Sequence, residues 1–561
     1  MLKRLLWIAL FAAAASSADS KPFDTLIVNG RIIDGTGSPW FAADIGVRDG
    51  RIAAIGNLGT AHALHRIDAH GQVIAPGFID MLGQSEYTIL VDPRLPSKIY
   101  QGITTEITGE GGSAAPVGGE ASEDLTKDLA HLGLNLDWAD FSGYFARLER
   151  QGIGINIGSY VGATAVRKVV IGNADRKPSQ EELSRMRDLV REAMRQGARG
   201  LSSSLEYAPA PYATTAELIS LAQVAASEGG IYATHMRSEG DGIDAALEET
   251  FRIAREASIP VEIWHLKIAG KSNWGRMPDI VARIDDARQK GLDIGADTYA
   301  YTAWFNEMSA FVPPWAHDGG KEQLLSRLRD PVTRERIKAD MLKPSAEWDN
   351  EWNEVSGPEG ILVGVVHNAE MKALQGRTIR EIAASRQADP LDTLLDILVA
   401  DDASSECAVF GMNEDDVALA LKQPWTSVNN DSSGAAIEGL LGSFHPHPRA
   451  FGTFPRILRK YVREEHLLSL EDAVRKFTAL PAGRMRIADR GLIKEGLWAD
   501  IVIFDPESVT DQATFSEPNQ LSVGMNWVLV NGQPVIANGE MTGARPGKVL
   551  RGPAYSSPQN H

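Results

Sequence analysis

A single cysteine, Cys407, stands among the 561 residues, so no intramolecular disulfide can form and stability has to come from a packed core. Positive charge is also scarce. Lys and Arg number 56 against 74 Asp and Glu, a formal net charge of -18, which leaves no basic excess to neutralise phosphates and argues against a nucleic-acid partner. No GxGxxG or GxxxxGK(S/T) pattern follows an apolar run, so a nucleotide-binding reading has no support. The glycine-rich stretch from Gly109 to Glu120 lacks the lysine of a phosphate loop and reads as a loop at a strand end. Tandem repeats and low-complexity tracts are missing, and past the first residues no apolar run reaches bilayer-spanning length.

Those first residues have their own pattern. Met1-Leu2-Lys3-Arg4 is followed by an apolar run from Leu5 to Ala15 and then by Ser16-Ser17-Ala18. A basic start, a short greasy run and small residues form a secretory signal, here with cleavage expected after Ala18. The expected product is exported, periplasmic or secreted, with no stable membrane insertion.

What is present is a chain long and apolar enough, at 43% hydrophobic residues, to bury one large domain with a smaller partner. Short strand candidates cluster near both ends: Thr25 to Asn29, Arg31 to Ile33, Asp44 to Val47 and Arg51 to Ile55, then Leu492 to Pro506 and Trp527 to Gly539. Asp49-Gly50 between alternating apolar residues predicts a hairpin. Between these ends, strand-like runs alternate with amphipathic helical segments such as Gln180 to Arg195 and Ile243 to Ala257. Roughly eight such units predict an α/β fold, a (β/α)8 TIM-type barrel. The expected plan is a signal at 1–18, a small β-sandwich made from residues 19–75 and 485–561, and a barrel at 76–484. An inserted subdomain at about 302–360 is placed where it could cover the barrel mouth.

Barrel enzymes carry their chemistry at the carboxyl ends of the strands. Thr234-His235-Met236-Arg237 and Trp264-His265-Leu266-Lys267 each close an apolar run, with a helix between them, so both imidazoles should reach one rim. Other strand ends supply Asp80 to Gln84, Glu110, Glu206, Asp297, Tyr299 and Asp431. Two histidines with carboxylates suit zinc or a similar divalent ion, and an adjacent carboxylate can move the proton of a water. Asp431 is the candidate base, although Asn-Asn-Asp-Ser-Ser-Gly is also a common turn. His445 and His447, flanked by prolines, read as loop or catalytic residues.

Several motifs in order resemble the N-acyl-D-amino-acid deacylase (D-aminoacylase) branch of the amidohydrolase superfamily: APGFID, GITTEITG, GLSSSLEY, ATHMRSEG, WHLK, HPHPRAFGTFPR and TALPAGRMRIADRGLIKEGLWADIVIFDP. The resemblance implies a metal-dependent barrel hydrolysing N-acyl amino acids, with His235 and His265 as metal ligands and Asp431 as catalytic aspartate. It also implies that Lys267 and Tyr299 bind the substrate carboxylate. Two departures stand out. Leu82 and Gln84 occupy the places of the branch's HxH pair, and Gly111 occupies the place of a metal-binding cysteine. One divalent ion, zinc, held by Glu110, His235 and His265 is the expected centre, with Glu206 in reserve and Gln84 beside substrate or water. The same motifs leave open a dipeptidase, cyclic amidase or lactonase, or a relative that binds a ligand without turnover.

Overall fold

The computed structural model describes residues 21–345, 348–355 and 357–556. The expected signal segment, 1–18, lies outside them. Eight parallel strands form the centre: β1 (Phe78–Asp80), β2 (Ile103–Thr108), β3 (Asn156–Ser159, continued by Val161–Gly162), β4 (Gly200–Ser204), β5 (Ile231–His235), β6 (Val261–Ile263), β7 (Ile294–Thr298) and β8 (Thr426–Val428). Neighbours pair in sequence, β1 to β3 and Val161 through β4 to β8. A parallel bridge from Gly83 to Ser432 closes the ring. The strands are buried throughout, as parallel strands flanked by helices are.

The crossover helices follow from their residue spacing. In Ile243–Ala257, Ile243, Ala246, Leu247, Phe251 and Ala254 are buried, while Glu248, Arg252 and Arg255 stay exposed, a three-and-four stripe. Gln180–Gln196 opens with a capping box, Ser179 accepting from Glu182 N–H and Glu182 accepting in return, which satisfies two backbone donors at its start.

The chain ends do join, in one continuous nine-stranded sheet. Val73–Pro76 pairs with Phe23–Ile32 on one side and Ile501–Phe504 on the other. The sheet encloses Ile27, Ile32, Ile45, Ile52, Ile74, Ile501 and Leu529, and Arg51 bridges across to Trp498. The Asp49-Gly50 hairpin is present, with both residues in the left-handed region (φ 51 and 75).

Two expected boundaries move. The insertion runs past 360, because its sheet is completed by Glu406–Val409, the central strand between Trp304–Glu307 and Ile361–Val363. The last segment leaves the β-domain: Ile157 N–H donates to Lys548 O, Leu550 N–H to Ile157 O and Gly552 N–H to Gly197 O. Residues 547–552 are thereby tied to the barrel at β3, whose backbone offers them free partners.

Candidate metal centre and active site

β5 ends on His235, and His265 lies two residues beyond β6. The imidazoles meet at the rim with centroids 4.5 Å apart and planes at 79°. Glu110, two residues beyond β2, reaches both: its Oε1 is 3.2 Å from His235 Nδ1 and 3.5 Å from His265 Nε2. Ligand atoms of the three lie within 4.8 Å of one another. His265 adopts φ 36, and its N–H donates to Asp297 Oδ1 at 2.6 Å. Left-handed backbone at a non-glycine residue costs about 1–3 kcal/mol and clusters at functional sites. Asp431 shares that conformation, at φ 45.

Asp431 is placed by the opposite end of the ring. Its N–H donates to Leu82 O at 3.0 Å, so the residue in the first histidine's place contributes backbone, while its side chain joins the core of Ile79, Ile107 and Tyr160. Asn430 N–H donates to Asp80 Oδ1 at 3.0 Å. Beneath, the wholly buried Lys98 ammonium binds Asp80 at 3.0 Å, Asn430 Oδ1 at 2.6 Å, Ser432 O at 2.8 Å and Glu106 at 3.0 Å. The Asn-Asn-Asp-Ser turn is therefore fastened to β1 and β2 by side chains and backbone together.

Gln84 links the two halves. Its Nε2 donates to Glu110 Oε2 at 2.7 Å and to Asp431 Oδ1 at 3.0 Å, so one neutral amide bridges carboxylates that would otherwise repel. Gly111 explains the other departure. At φ 61 its added Cβ would lie 2.6 Å from Ser204 Cβ, which leaves no room for a cysteine side chain.

Glu110, His235, His265, Gln84, Glu206, Lys267 and Asp431 line one cavity of about 680 Å³, within the range of small-molecule sites. Lys267 donates to Glu239 Oε2 at 2.5 Å and lies 2.6 Å from His265 Nδ1. Tyr299 is not brought to the wall. It packs under Arg449, whose guanidinium carbon is 4.6 Å from the ring centre, with its hydroxyl toward Met412 Sδ. Glu206 meets the far nitrogen of His235, Nε2, at 2.8 Å. His447 is also structural: it accepts from Arg449 N–H at 2.9 Å and donates to Ala303 O at 3.1 Å. His445 contacts Phe515 O at 2.8 Å.

Two residues escaped the sequence reading. Glu239 sits 3.0 Å from His265 Nδ1, and Arg449 Nη1 sits 2.8 Å from Asp431 Oδ2 without an aligned hydrogen bond. Glu239 lies in the loop just past β5, inside ATHMRSEG, and Arg449 opens a helix, Arg449–Arg456, inside HPHPRAFGTFPR; neither position carries a periodic signal that marks it for the site.

The field is strongly negative. Burial disfavours ionised Glu110, yet His235 and His265 hold its carboxyl well below the usual range. Burial works against a charged His235, but Glu239, Glu110 and Glu206 push it well above its ordinary value. Glu239 is likewise held down, against burial, by Lys267 and both histidines. Burial disfavours the Lys267 ammonium, and Glu239 more than compensates. An ionised carboxylate and two imidazole nitrogens converging in an acidic pocket fit a borderline-hard divalent cation such as zinc.

A closed parallel barrel with imidazole and carboxylate donors gathered beside an aspartate at its strand ends defines a metal-dependent barrel hydrolase. The chain belongs to the amidohydrolase family, whose sequence profile matches residues 66–536; a profile of the urease alpha-subunit N-terminal domain matches residues 10–77. It is 37% identical to a D-aminoacylase of Alcaligenes xylosoxydans xylosoxydans, over 95% of this chain and 99% of that one. An N-acyl-D-glutamate deacylase from Bordetella bronchiseptica, solved with zinc and a phosphonate mimic of the tetrahedral intermediate, superposes with a TM-score of 0.79. That pair is 35% identical, covering 95% of this chain and 100% of the other. A D-aminoacylase structure described as having a binuclear metal centre with one-metal activation also superposes at 0.79, with 34% identity over 94% of this chain and all of the other.

Proposed function

We propose that the protein hydrolyses the amide of N-acyl-D-amino acids to a carboxylate and a free amino acid, using one zinc ion held by Glu110, His235 and His265. The observation that carries this reading is the convergence of those three donors within 4.8 Å of one another on a cavity shared with Asp431 and Lys267. The named activities of the relatives support the substrate class. The leader-like residues 1–18 support export as part of the same proposal.

When bound, such an ion supplies Lewis-acid polarisation of the scissile carbonyl and makes water ionisable near neutral pH. The chain supplies the rest. Asp431 accepts a proton from the attacking water as its oxygen bonds to the carbonyl carbon, and returns the proton to nitrogen as the C–N bond breaks. Gln84 holds Asp431 against Glu110 for this transfer. Lys267 offers its ammonium to the substrate carboxylate, and the buried wall keeps that contact dry.

Metal content and turnover of N-acetyl-D-amino acids, measured together, test the proposal. Asp431→Asn should keep wild-type metal while losing at least about a hundredfold in kcat, the scale of a lost general base. Glu110→Ala should lose metal. Full metal occupancy in Glu110→Ala would remove Glu110 from the ligand set, and unchanged turnover in Asp431→Asn would overturn the mechanism.

A further inference from the structure

On the far side of His235, away from Glu110, the cavity wall is built from the insertion. Glu351 comes from a short helix, Glu351–Glu354, and lies against Glu206 from the end of β4. Its Oε1 accepts from Trp304 Nε1 at 3.2 Å and from Asn306 Nδ2. Among the described residues no donor reaches its Oε2, although the residue is only 1% exposed and lines the cavity; burial and the facing Glu206 carboxylate, within hydrogen-bond reach, raise its carboxyl well above the ordinary range. Glu354 lines the same corner. Among the described residues, neither glutamate forms a salt bridge with a lysine, arginine or histidine. Lys267, a cation in this wall, pairs with Glu239 and not with either of these glutamates.

A buried carboxylate oxygen with no donor is costly unless something arrives to satisfy it. The corner also carries the aromatic side chains of Trp304, which holds Glu351, and Tyr207, which feels the Glu206 and Glu351 charges, and aromatic rings beside acids suit an organic cation. A metal ion is the rival occupant, because Glu206, His235 and Glu239 also bring ligand atoms within 4.8 Å of one another. Glu351 and Glu354 are not in that group, and counting bound metal separates the two occupants.

We propose that this corner receives a positively charged nitrogen of the substrate, an ammonium or guanidinium carried on a basic amino-acid side chain or as the free amino end of an aminoacyl group. The inference rests on the hydrolase reading and gives it a substrate class. Lys267 takes the substrate's carboxylate, and Glu351 with Glu206 takes a cation at the opposite end of the same molecule. Asp349 fixes the geometry by tying the insertion to the loop after β5, accepting from Ser238 Oγ at 2.5 Å and Glu239 N–H at 2.7 Å.

Two substrate pairs test it on the purified wild-type enzyme: N-acetyl-D-lysine against N-acetyl-D-norleucine, and glycyl-D-norleucine against N-acetyl-D-norleucine. The cationic member of at least one pair should have a kcat/KM about tenfold or more above its neutral partner, since a buried polar group rejects the analogue that leaves it unpaired. The pair that responds tells whether the charge belongs to the side chain or to the acyl end. Glu351→Gln, which keeps the shape and the Oε1 contacts, should reduce that ratio to within about twofold. Equal or inverted rates for both pairs in the wild type would overturn the inference, and this result does not depend on the variant folding. A ratio that survives in folded Glu351→Gln would overturn it too, as would a second equivalent of bound metal lost in that variant. Absence of turnover on every member would sink the hydrolase reading and this inference with it, whereas turnover of the neutral members alone overturns only the inference.

Discussion

Gln84 is the residue whose chemistry departs most from what the resemblance implies, and the structure gives it a definite task. A single amide nitrogen donates to a candidate metal ligand and to the aspartate proposed as the base. Removing that donor leaves Glu110 and Asp431 facing each other with nothing between them. Gln84→Ala should therefore lower kcat by about 10- to 100-fold, the scale seen when groups that orient metal ligands are removed, with little change in melting temperature. A wild-type kcat in that variant would show the bridge to be idle. His447 yields a pH prediction. Burial, together with Arg449 and Arg456, pushes its imidazole well below its ordinary 6.5, and its Nδ1 is committed as an acceptor. The folded protein thus binds fewer protons here than the unfolded chain. Stability should fall as pH drops below about 6.5 toward the folded value, and His447→Asn should show a shallower loss of melting temperature between pH 7 and 5.

At the scale of elements, the site is held by contacts between strands far apart in sequence. Lys98 joins β1, β2 and the turn after β8 through Asp80, Glu106, Asn430 and Ser432. Lys98→Met would strand two buried carboxylates, a change that costs about 3–5 kcal/mol. A shifted denaturant midpoint together with reduced activity is expected, and an unshifted midpoint would show the ammonium to be dispensable. What could be read from the sequence at this scale was whatever repeats. The stripe of Ile243–Ala257 and the paired histidine phrases are local patterns, so helix limits and rim positions were both legible. The insertion's third strand, Glu406–Val409, is four residues in a region otherwise helical, and nothing local separates it from a loop. Glu351 and Arg449 were hidden for a related reason: their partners lie in other elements, and only the folded chain reveals them.

For the whole molecule, the barrel plan followed from alternation of texture, and the meeting of the chain ends followed from two β-rich pieces that each lack a mate. The path of the last residues did not, because 547–552 pair with β3 and Gly197 through backbone groups that any sequence possesses. Truncation after residue 544 should lower the melting temperature, since it uncovers Ile157 and removes those pairings; an unchanged melting curve would make the tail ornamental. The strand Val73–Pro76 has a longer reach. It is flanked by Phe23–Ile32 and by Ile501–Phe504, so one of its edges stays vacant on the ribosome until nearly all of the protein has been made. Assembly of that sheet is a late event by construction, and a nascent chain halted inside the barrel would expose a sticky border to which a chaperone, or a neighbouring nascent chain, can attach.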